Sequence, residues 1–362
     1  MKICHLTSVH QVDDTRIFIK ECSSLAEFGH EVYLVAPNTV NTRKNNVTII
    51  GIQRENKGRI NRIIDTTKKV YEQALLIDAD IYHFHDPELI PVGIKLSKKG
   101  KKVIYDVHED VPRDILSKDW IPKIFRKFIS FIFEQYEKRV ARKFNAIVTA
   151  TPFINERFKK INTNTYNINN YPLLDELVSV GNLVSTEKEY IGYVGGLSSI
   201  RGINEIVEAA QDILCKVAFV GPLDEQLKQK VANSKNVEYF GVLNREEVRD
   251  FLAKCSAGLV TFLPEPNHIN AQPNKMFEYM SAGIPVISSN FPLWKNIIES
   301  NNCGICVDPT NPDEIAEAIN WIYNNPDEAN NMGKNGRSAV EQKYNWKVEE
   351  KKLINLYQKL SQ

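Results

Sequence analysis

Short apolar runs bounded by turn residues alternate with longer amphipathic stretches along this chain, and the alternation starts twice. That pattern limits the possible folds more than any other feature. In the first half KICHLT, EVYLVAP, DIYHFH, KKVIYDVH and NAIVTA read as strands. The first helix is read from about Asp14 to Phe28. Phe18, Cys22 and Leu25 recur there at 3–4 spacing, Asp14 or Thr15 caps it, and Gly29 stops it. Two polar stretches, INTNTYNINNYP and VSVGNLVSTEKE, then read as a loop-rich crossing. The alternation restarts with YIGYVGG, INEIVEAAQDI and CKVAFVG, continues through VEYFG, AGLVTF, IPVISS and GICVDP, and ends in a polar helix from about Val348 to Leu360.

Strand–helix repetition of this kind implies parallel, doubly wound α/β sheets. A length of 362 residues suits two domains. The expectation is two Rossmann-like domains, 1–172 and 189–344, facing each other across a ligand cleft. A linker at 173–188 joins them, and a helix at 345–362 returns to the first domain. Ligands in such sheets sit at the carboxyl ends of the strands.

Composition excludes several classes. The net charge is +1 and no basic stripe is present, so nucleic acid is not an expected partner. The start, MKICHLTSVH, reads as a strand rather than a signal peptide. No run approaches the ~18 apolar residues needed to cross a bilayer. Six scattered cysteines fit a reducing cytoplasm. Cys303 and Cys306 form a C-x-x-C without a second pair or a helix start, and are read as buried structural thiols.

The loop after the first strand, TSVHQVDDTRIF, has no G-x-G-x-x-G, which argues against a dinucleotide cofactor. It offers His10, Asp13 and Arg16 at a strand mouth. HFHDPE and YDVHED end two further strands with histidines and acids. H-x-H on a strand puts both imidazoles on one face, yet no third ligand is evident, so no metal is expected. Hydrogen bonding and proton handling are the better use, with His108 placed first. Asp78-Ala79-Asp80 precedes its strand and is read as a helix–strand loop.

In the second half, YVGGLSSIRG sets Gly195 and Gly196 where a ligand can approach the backbone, and Arg201 before a helix start that favours phosphate. In PNKMFEYMSAG, Pro273 fits the first helical position and Gly283 the stop. Met276, Phe277 and Met280 then form an apolar face, and Asn274, Lys275, Glu278 and Ser281 a polar one. Lys275 and Glu278 are either a surface ion pair or a divided ligand site. In the second case Lys275 and the helix start take a diphosphate, and Glu278 accepts from a vicinal diol such as a ribose.

Taken in order, HQVDDTRIFIKECSSLAEFGHEV, HFHDPE, VIYDVHED, YVGGLSSIRG and PNKMFEYMSAGIPVI resemble the group 1, family 4 glycosyltransferases of the GT-B fold over nearly the whole chain. The resemblance implies a retaining, metal-independent hexosyltransferase with no cofactor, whose nucleotide-sugar donor (UDP favoured) is a substrate. A glycan or polyprenyl-linked glycan of surface polysaccharide synthesis would be the acceptor. It makes the second domain the donor side, with Glu278 on the ribose, Arg201 and Lys275 neutralising the diphosphate, and Gly195, Gly196, Asn270 and Asn274 around it. His108 would lie near the donor sugar, and His10, Asp13 and Arg16 near sugar and acceptor. Three departures stand out. Asn270 replaces the first Glu of E-x7-E, Gly196 stands where many members have an Arg, and the first loop lacks Gly-Gly. A sugar-nucleotide epimerase or a silent nucleotide-sugar-binding protein is the alternative.

One stretch, 118–143, is basic and aromatic: KDWIPKIFRKFISFIFEQYEKRVARK. It reads either as a core helix packed on a sheet or as an amphipathic helix resting on anionic lipid. The second reading would make a cytoplasmic enzyme peripheral on the inner face of the plasma membrane.

Overall fold

A computed structural model describes residues 1–53, 59–118, 120–174 and 188–362. The chain divides into two compact units, one formed by Met1–Asn170 with Lys347–Gln362 and the other by Tyr171–Trp346. Most of the linker expected at 173–188 lies outside the described residues.

The first unit holds an eight-stranded sheet made of β1 (Lys2–Leu6), β2 (Glu31–Pro37), β3 (Thr42–Lys44), β4 (Val47–Ile52), β5 (Ile81–Phe84), β6 (Lys102–Val107), β7 (Ala146–Thr149) and β8 (Thr165–Asn167). Its order is β3-β4-β2-β1-β5-β6-β7-β8, parallel except for the β3–β4 hairpin. The second unit holds β9 (Tyr190–Val194), β10 (Lys216–Val220), β11 (Val237–Tyr239), β12 (Cys255–Val260), β13 (Val286–Ser289) and β14 (Gly304–Val307). These run in the order β11-β10-β9-β12-β13-β14, all parallel.

Both sheets are doubly wound. Strand order reverses between β1 and β5 in the first and between β9 and β12 in the second. Crossover helices leave opposite faces at these points, which opens a crevice at the carboxyl ends of the strands. Continuous burial fits this topology: β5, β7 and β13 are buried at every position, as strands covered on both faces must be.

Two expectations are corrected here. INTNTYNINNYP, read as loop, contains edge strand β8, which pairs with β7 through Thr165, Tyr166 and Asn167. Three residues on a sheet edge need little apolar patterning, and only Thr165 of the three is buried. Pro273 is the N-cap residue, with ψ 127, and the helix begins at Asn274. Gly283 does follow that helix in the left-handed region, with φ 72.

The first helix starts where expected. The Asp14 carboxylate accepts from the backbone N–H of Arg16 and Ile17, and Phe18, Cys22 and Leu25 all face the core. Its first eight residues, Thr15–Cys22, are wound as a wider π-helix before Ser23–Glu27 continues as α. Asp78-Ala79-Asp80 is a helix–strand connection in which Asp80 accepts from the backbone N–H of Lys2 at 2.8 Å. The C-terminal helix, Trp346–Ser361, belongs to the first unit from Lys347 onward. It buries Leu353, Leu356 and Tyr357 completely, and Glu349 accepts from the backbone N–H of Asn169 at 2.9 Å.

Candidate functional site

In the second unit the β9 strand ends in Val194 and turns at Gly195, whose φ of +123 suits glycine. A Cβ here would stand 3.0 Å from Lys275 Nζ, and one on Gly196 would stand 2.7 Å from Arg201 Nη1. The backbone is therefore bare where two cations approach it. Arg201 Nη1 donates to the Gly196 carbonyl at 3.3 Å, and the Tyr193 hydroxyl donates to the same oxygen at 3.2 Å. The turn is thus pinned from below by a strand residue and from the side by the guanidinium.

Lys275 enters from the helix Asn274–Ser281. It is only 8% exposed, and among the described residues its ammonium has no hydrogen-bond partner. The Tyr193 ring lies 3.6 Å from Nζ and the Phe262 ring 5.2 Å away. Burial drives its pKa well below the usual lysine value, the Arg201 charge adds to that, and Glu278 pulls weakly the other way. A buried cation with aromatic walls and no acceptor is costly unless an anion joins it. No side chain caps this helix, so its N-terminal dipole also faces the site without an anionic cap. The helix is seated on β9 by the Tyr279 hydroxyl, which accepts from the Val194 N–H at 2.8 Å.

The surface ion pair between Lys275 and Glu278 does not form. Glu278 instead accepts from Arg245 Nη2 at 2.8 Å, with its side chain 17% exposed. Asn274 is exposed and Asn270 half-buried in the loop leading to the helix. That loop is held by Trp294 Nε1, which donates to the Ala271 carbonyl at 2.6 Å. It also carries buried His268, whose Nδ1 lies 3.1 Å from the Leu263 carbonyl.

The first unit gathers a different constellation at the ends of β1, β5 and β6. Asp106 and His108 are two apart across the end of β6 and so share a face. His108 Nε2 donates to Asp106 Oδ2 at 2.7 Å, which fixes the tautomer and leaves Nδ1 to the outside, with the ring 15% exposed. His10 is held between two carboxylates, Nδ1 at 3.1 Å from Asp14 and Nε2 at 3.4 Å from Asp86. The hydrogen bond to Asp14 raises its pKa above the ordinary histidine value against the opposing effect of burial. The rings of His10 and His108 lie 5.3 Å apart. Asp86 also accepts from the Thr7 hydroxyl at 2.9 Å and the Ser8 N–H at 2.6 Å, which fastens the β1 loop to the end of β5.

Arg16 is placed otherwise than its position in the loop suggests. Only 4% exposed, it donates to Asp106 through Nε and Nη2 at 3.1 and 2.9 Å and to the Ile168 carbonyl at 2.9 Å, with Glu21 3.2 Å away. It organises the interior beneath the ends of β1 and β6. Asp13 is exposed. His10 and His108 are thus brought together, and Arg16 is turned into the interior beneath them.

Behind His108 lies a buried chain of histidines. His85 Nδ1 donates to Asp106 at 3.1 Å, His85 Nε2 accepts from His5 Nδ1 at 2.9 Å, and the Tyr357 hydroxyl sits between His83 Nδ1 at 2.8 Å and His5 Nε2 at 3.3 Å. His5, Glu21, His83 and His85 each bring one ligand atom within 4.8 Å of the others, as do His85, Asp106 and His108. The rings are stacked, His5 on His85 at 17° and His83 on His85 at 25°.

Several of these residues carried no signal in the sequence. Asp106 was readable from its two-residue spacing to His108. Tyr193, Phe262, Arg245 and Tyr357 were not, because each meets its partner only through the tertiary fold.

Two units, each a doubly wound parallel sheet with its polar groups at the strand ends, define a GT-B glycosyltransferase fold. Solved structures agree. Sucrose-phosphate synthase from Thermosynechococcus elongatus superposes over 99% of both chains with a TM-score of 0.80 at 18% identity. Anabaena HepE in complex with UDP and glucose superposes over 99% of this chain and 100% of its own with a TM-score of 0.74 at 14% identity. The family description "Glycosyltransferase Family 4" matches residues 16–165, and "Glycosyl transferases group 1" matches residues 178–339. The chain belongs to the group 1 glycosyltransferases, of the family 4 type. Among relatives, the uncharacterized glycosyltransferase MJ1607 of Methanocaldococcus jannaschii is 26% identical over 183 residues, 48% of this chain and 46% of that protein, so the chain spans about half the length of this relative. The O-antigen chain mannosyltransferase C of Escherichia coli is 22% identical over 296 residues, 77% of this chain and 75% of its own.

Proposed function

We propose that the chain transfers a sugar from a nucleoside-diphosphate donor, UDP favoured, to a hydroxyl of a glycan or lipid-linked glycan, with retention at the anomeric carbon. The observation that carries this is the ammonium of Lys275, buried, unpartnered and aimed at the bare Gly195–Gly196 turn beside Arg201. When the sugar–phosphate bond breaks, negative charge grows on the departing diphosphate. Preorganised cations at that point stabilise the transition state more than the ground state. Glu278 accepts the ribose diol, and Arg245 holds its carboxylate in place. On the first unit, His108 offers Nδ1 to a sugar hydroxyl, and its tautomer is set by Asp106. His10 lines the same surface. In this reading the leaving diphosphate assists removal of the acceptor proton.

No resident metal is part of the proposal. Imidazole lone pairs lie in the ring plane, so the stacked pairs His5–His85 and His83–His85 do not converge on one tetrahedral centre. Arg16 also sets a cation against the Asp106 and Glu21 carboxylates of that cluster. UDP is favoured because HepE was solved with it. A surface-polysaccharide acceptor is favoured by the O-antigen relative. Six unpaired cysteines favour a reducing cytoplasm. Among the described residues no helix is long and apolar enough to cross a membrane, and the proposed contact with the inner membrane face is peripheral.

A thermal-shift panel with UDP, GDP, ADP and dTDP, then their sugars, tests the donor. Stabilisation by one nucleoside diphosphate is expected, and none by any of the four would contradict the reading. Release of that nucleotide should depend on added acceptor. Release or conversion of the sugar without acceptor would mark an epimerase, and binding without turnover a silent module.

A further inference from the structure

The helix Lys123–Ala141 turns few residues inward: Ser130, Glu137, Val140 and Ala141 are its buried positions. Its outer face is apolar. Ile124 is 82% exposed, Phe128 63% and Phe131 60%, with Phe125 and Ile132 beside them. At about 100° per residue, Ile124, Phe128, Phe131 and Ile132 fall within an arc of roughly 100°. The core-helix reading therefore holds only for the last turns, where Val140 and Ala141 join the core and Phe133 packs against it; the turns before them face outward.

Charge on the helix is sorted as strictly. Both acids point away from the apolar face. Glu134 accepts from Arg113 at 2.9 Å and from Lys138 at 2.8 Å, and Glu137 accepts from Arg157 at 2.7 Å and from the Tyr105 hydroxyl at 3.0 Å. Lys123, Lys127, Arg139, Arg142 and Lys143 remain exposed. Arg139 and Arg142 continue the apolar arc toward the C-terminal end. There a depression of about 630 Å³ is lined by Gln135, Tyr136, Lys138, Arg139 and Arg142.

We propose that this face docks on the anionic leaflet of a lipid bilayer. The aromatic turns enter the acyl boundary, and the depression at Lys138–Arg142 receives a headgroup phosphate. A helix lying in the interface needs this combination, a wide apolar face edged by cations with no acid on it. A second copy of the chain fits less well, because two-fold pairing of this face would set its cations against themselves. The inference deepens the proposed function by bringing a lipid-linked acceptor to the enzyme, and rests on it only for that meaning. Lipid binding is measured without donor or acceptor, so its failure leaves UDP binding untouched, and the converse holds.

Flotation of the full chain is compared on phosphatidylcholine vesicles and on vesicles also containing phosphatidylglycerol, at low salt. One variant joins Ile124→Ser, Phe128→Ser and Phe131→Ser; the other joins Lys127→Gln, Arg139→Gln and Arg142→Gln. All six positions are outside the donor site, and five of them are exposed on this helix with the sixth, Arg142, just past its end, so folding is checked simply by circular dichroism. Wild-type protein should float on the anionic vesicles and not on the neutral ones. The cation variant should lose about a hundredfold in partition, at roughly fivefold per charge. The serine variant should lose at least about tenfold. Wild-type protein that stays unbound on anionic vesicles overturns the inference. So does flotation unaffected by both variants, or a dimer in light scattering that the serine variant dissociates while no vesicle is bound.

Discussion

In the proposed reaction Lys275 concentrates the electrostatics of the second unit in one atom. A buried ammonium without an acceptor lowers the stability of the unliganded fold, so Lys275→Met should stabilise the free protein by about 1–3 kcal/mol while removing nucleotide binding. Chemical denaturation reads the first effect, and a destabilised Met variant would contradict it. The depressed pKa has a second consequence. The unfolded chain binds the Lys275 proton more readily than the fold does. Its unfavourable contribution is therefore absent above the unfolded lysine pKa and grows as pH falls toward the folded value. An incoming diphosphate favours the protonated form. Binding should take up a proton, and affinity should fall as pH rises; calorimetry in buffers of different ionisation enthalpy detects this, and zero uptake would contradict it. His10 has the opposite sign. Its pKa is raised in the fold, so its stabilisation is complete below the ordinary value of 6.5 and is lost as pH rises through the folded value. The stability difference between wild type and His10→Asn should shrink across that window, and a constant difference would count against the Asp14 pairing. At this scale the nearness of Lys275 and Arg201 to the glycine pair was legible, because strand ends and helix starts are local signals. Sequence alone misplaced Arg16, whose burial depends on Asp106, 90 residues away.

At the scale of elements, the helix Asn274–Ser281 matters through its seat. Tyr279 accepts from Val194 N–H at the end of β9. Tyr279→Phe leaves that half-buried donor without its hydroxyl partner and should cost about 1 kcal/mol, with weaker UDP binding because Lys275 is no longer held over the turn. Unchanged stability and affinity would show that apolar packing alone seats the helix. Most strands were legible because buried parallel strands are continuous apolar runs. Three were not. VTIIGI is such a run, and it pairs with TRK across Asn45 and Asn46, both at positive φ, a hairpin signal that the alternating βα pattern overshadowed. The third, β8, is three polar-flanked residues whose place at the sheet edge is decided by β7.

For the whole molecule, the last sixteen residues complete the first unit. Tyr357 is fully buried against His83 and His5, and Leu353 and Leu356 are buried beside it. Removing 347–362 exposes the histidine chain behind His108. Hydrogen exchange should then lose protection in β1 and β5 and keep it in β9 and β12, and uniform loss or none would contradict the division into units. That a second sheet follows the first could be read from the restarted alternation, and so could the C-terminal helix. What the helix seals could not, since nothing in a polar helix of that spacing names His5 and His83 as the partners of Tyr357. The most direct measurement is isothermal titration of UDP into wild-type protein and Lys275→Ala. Loss of a buried charge-assisted contact to phosphate, about 2–4 kcal/mol, should raise Kd at least about thirtyfold, and equal affinity in the two proteins would contradict a diphosphate at Lys275.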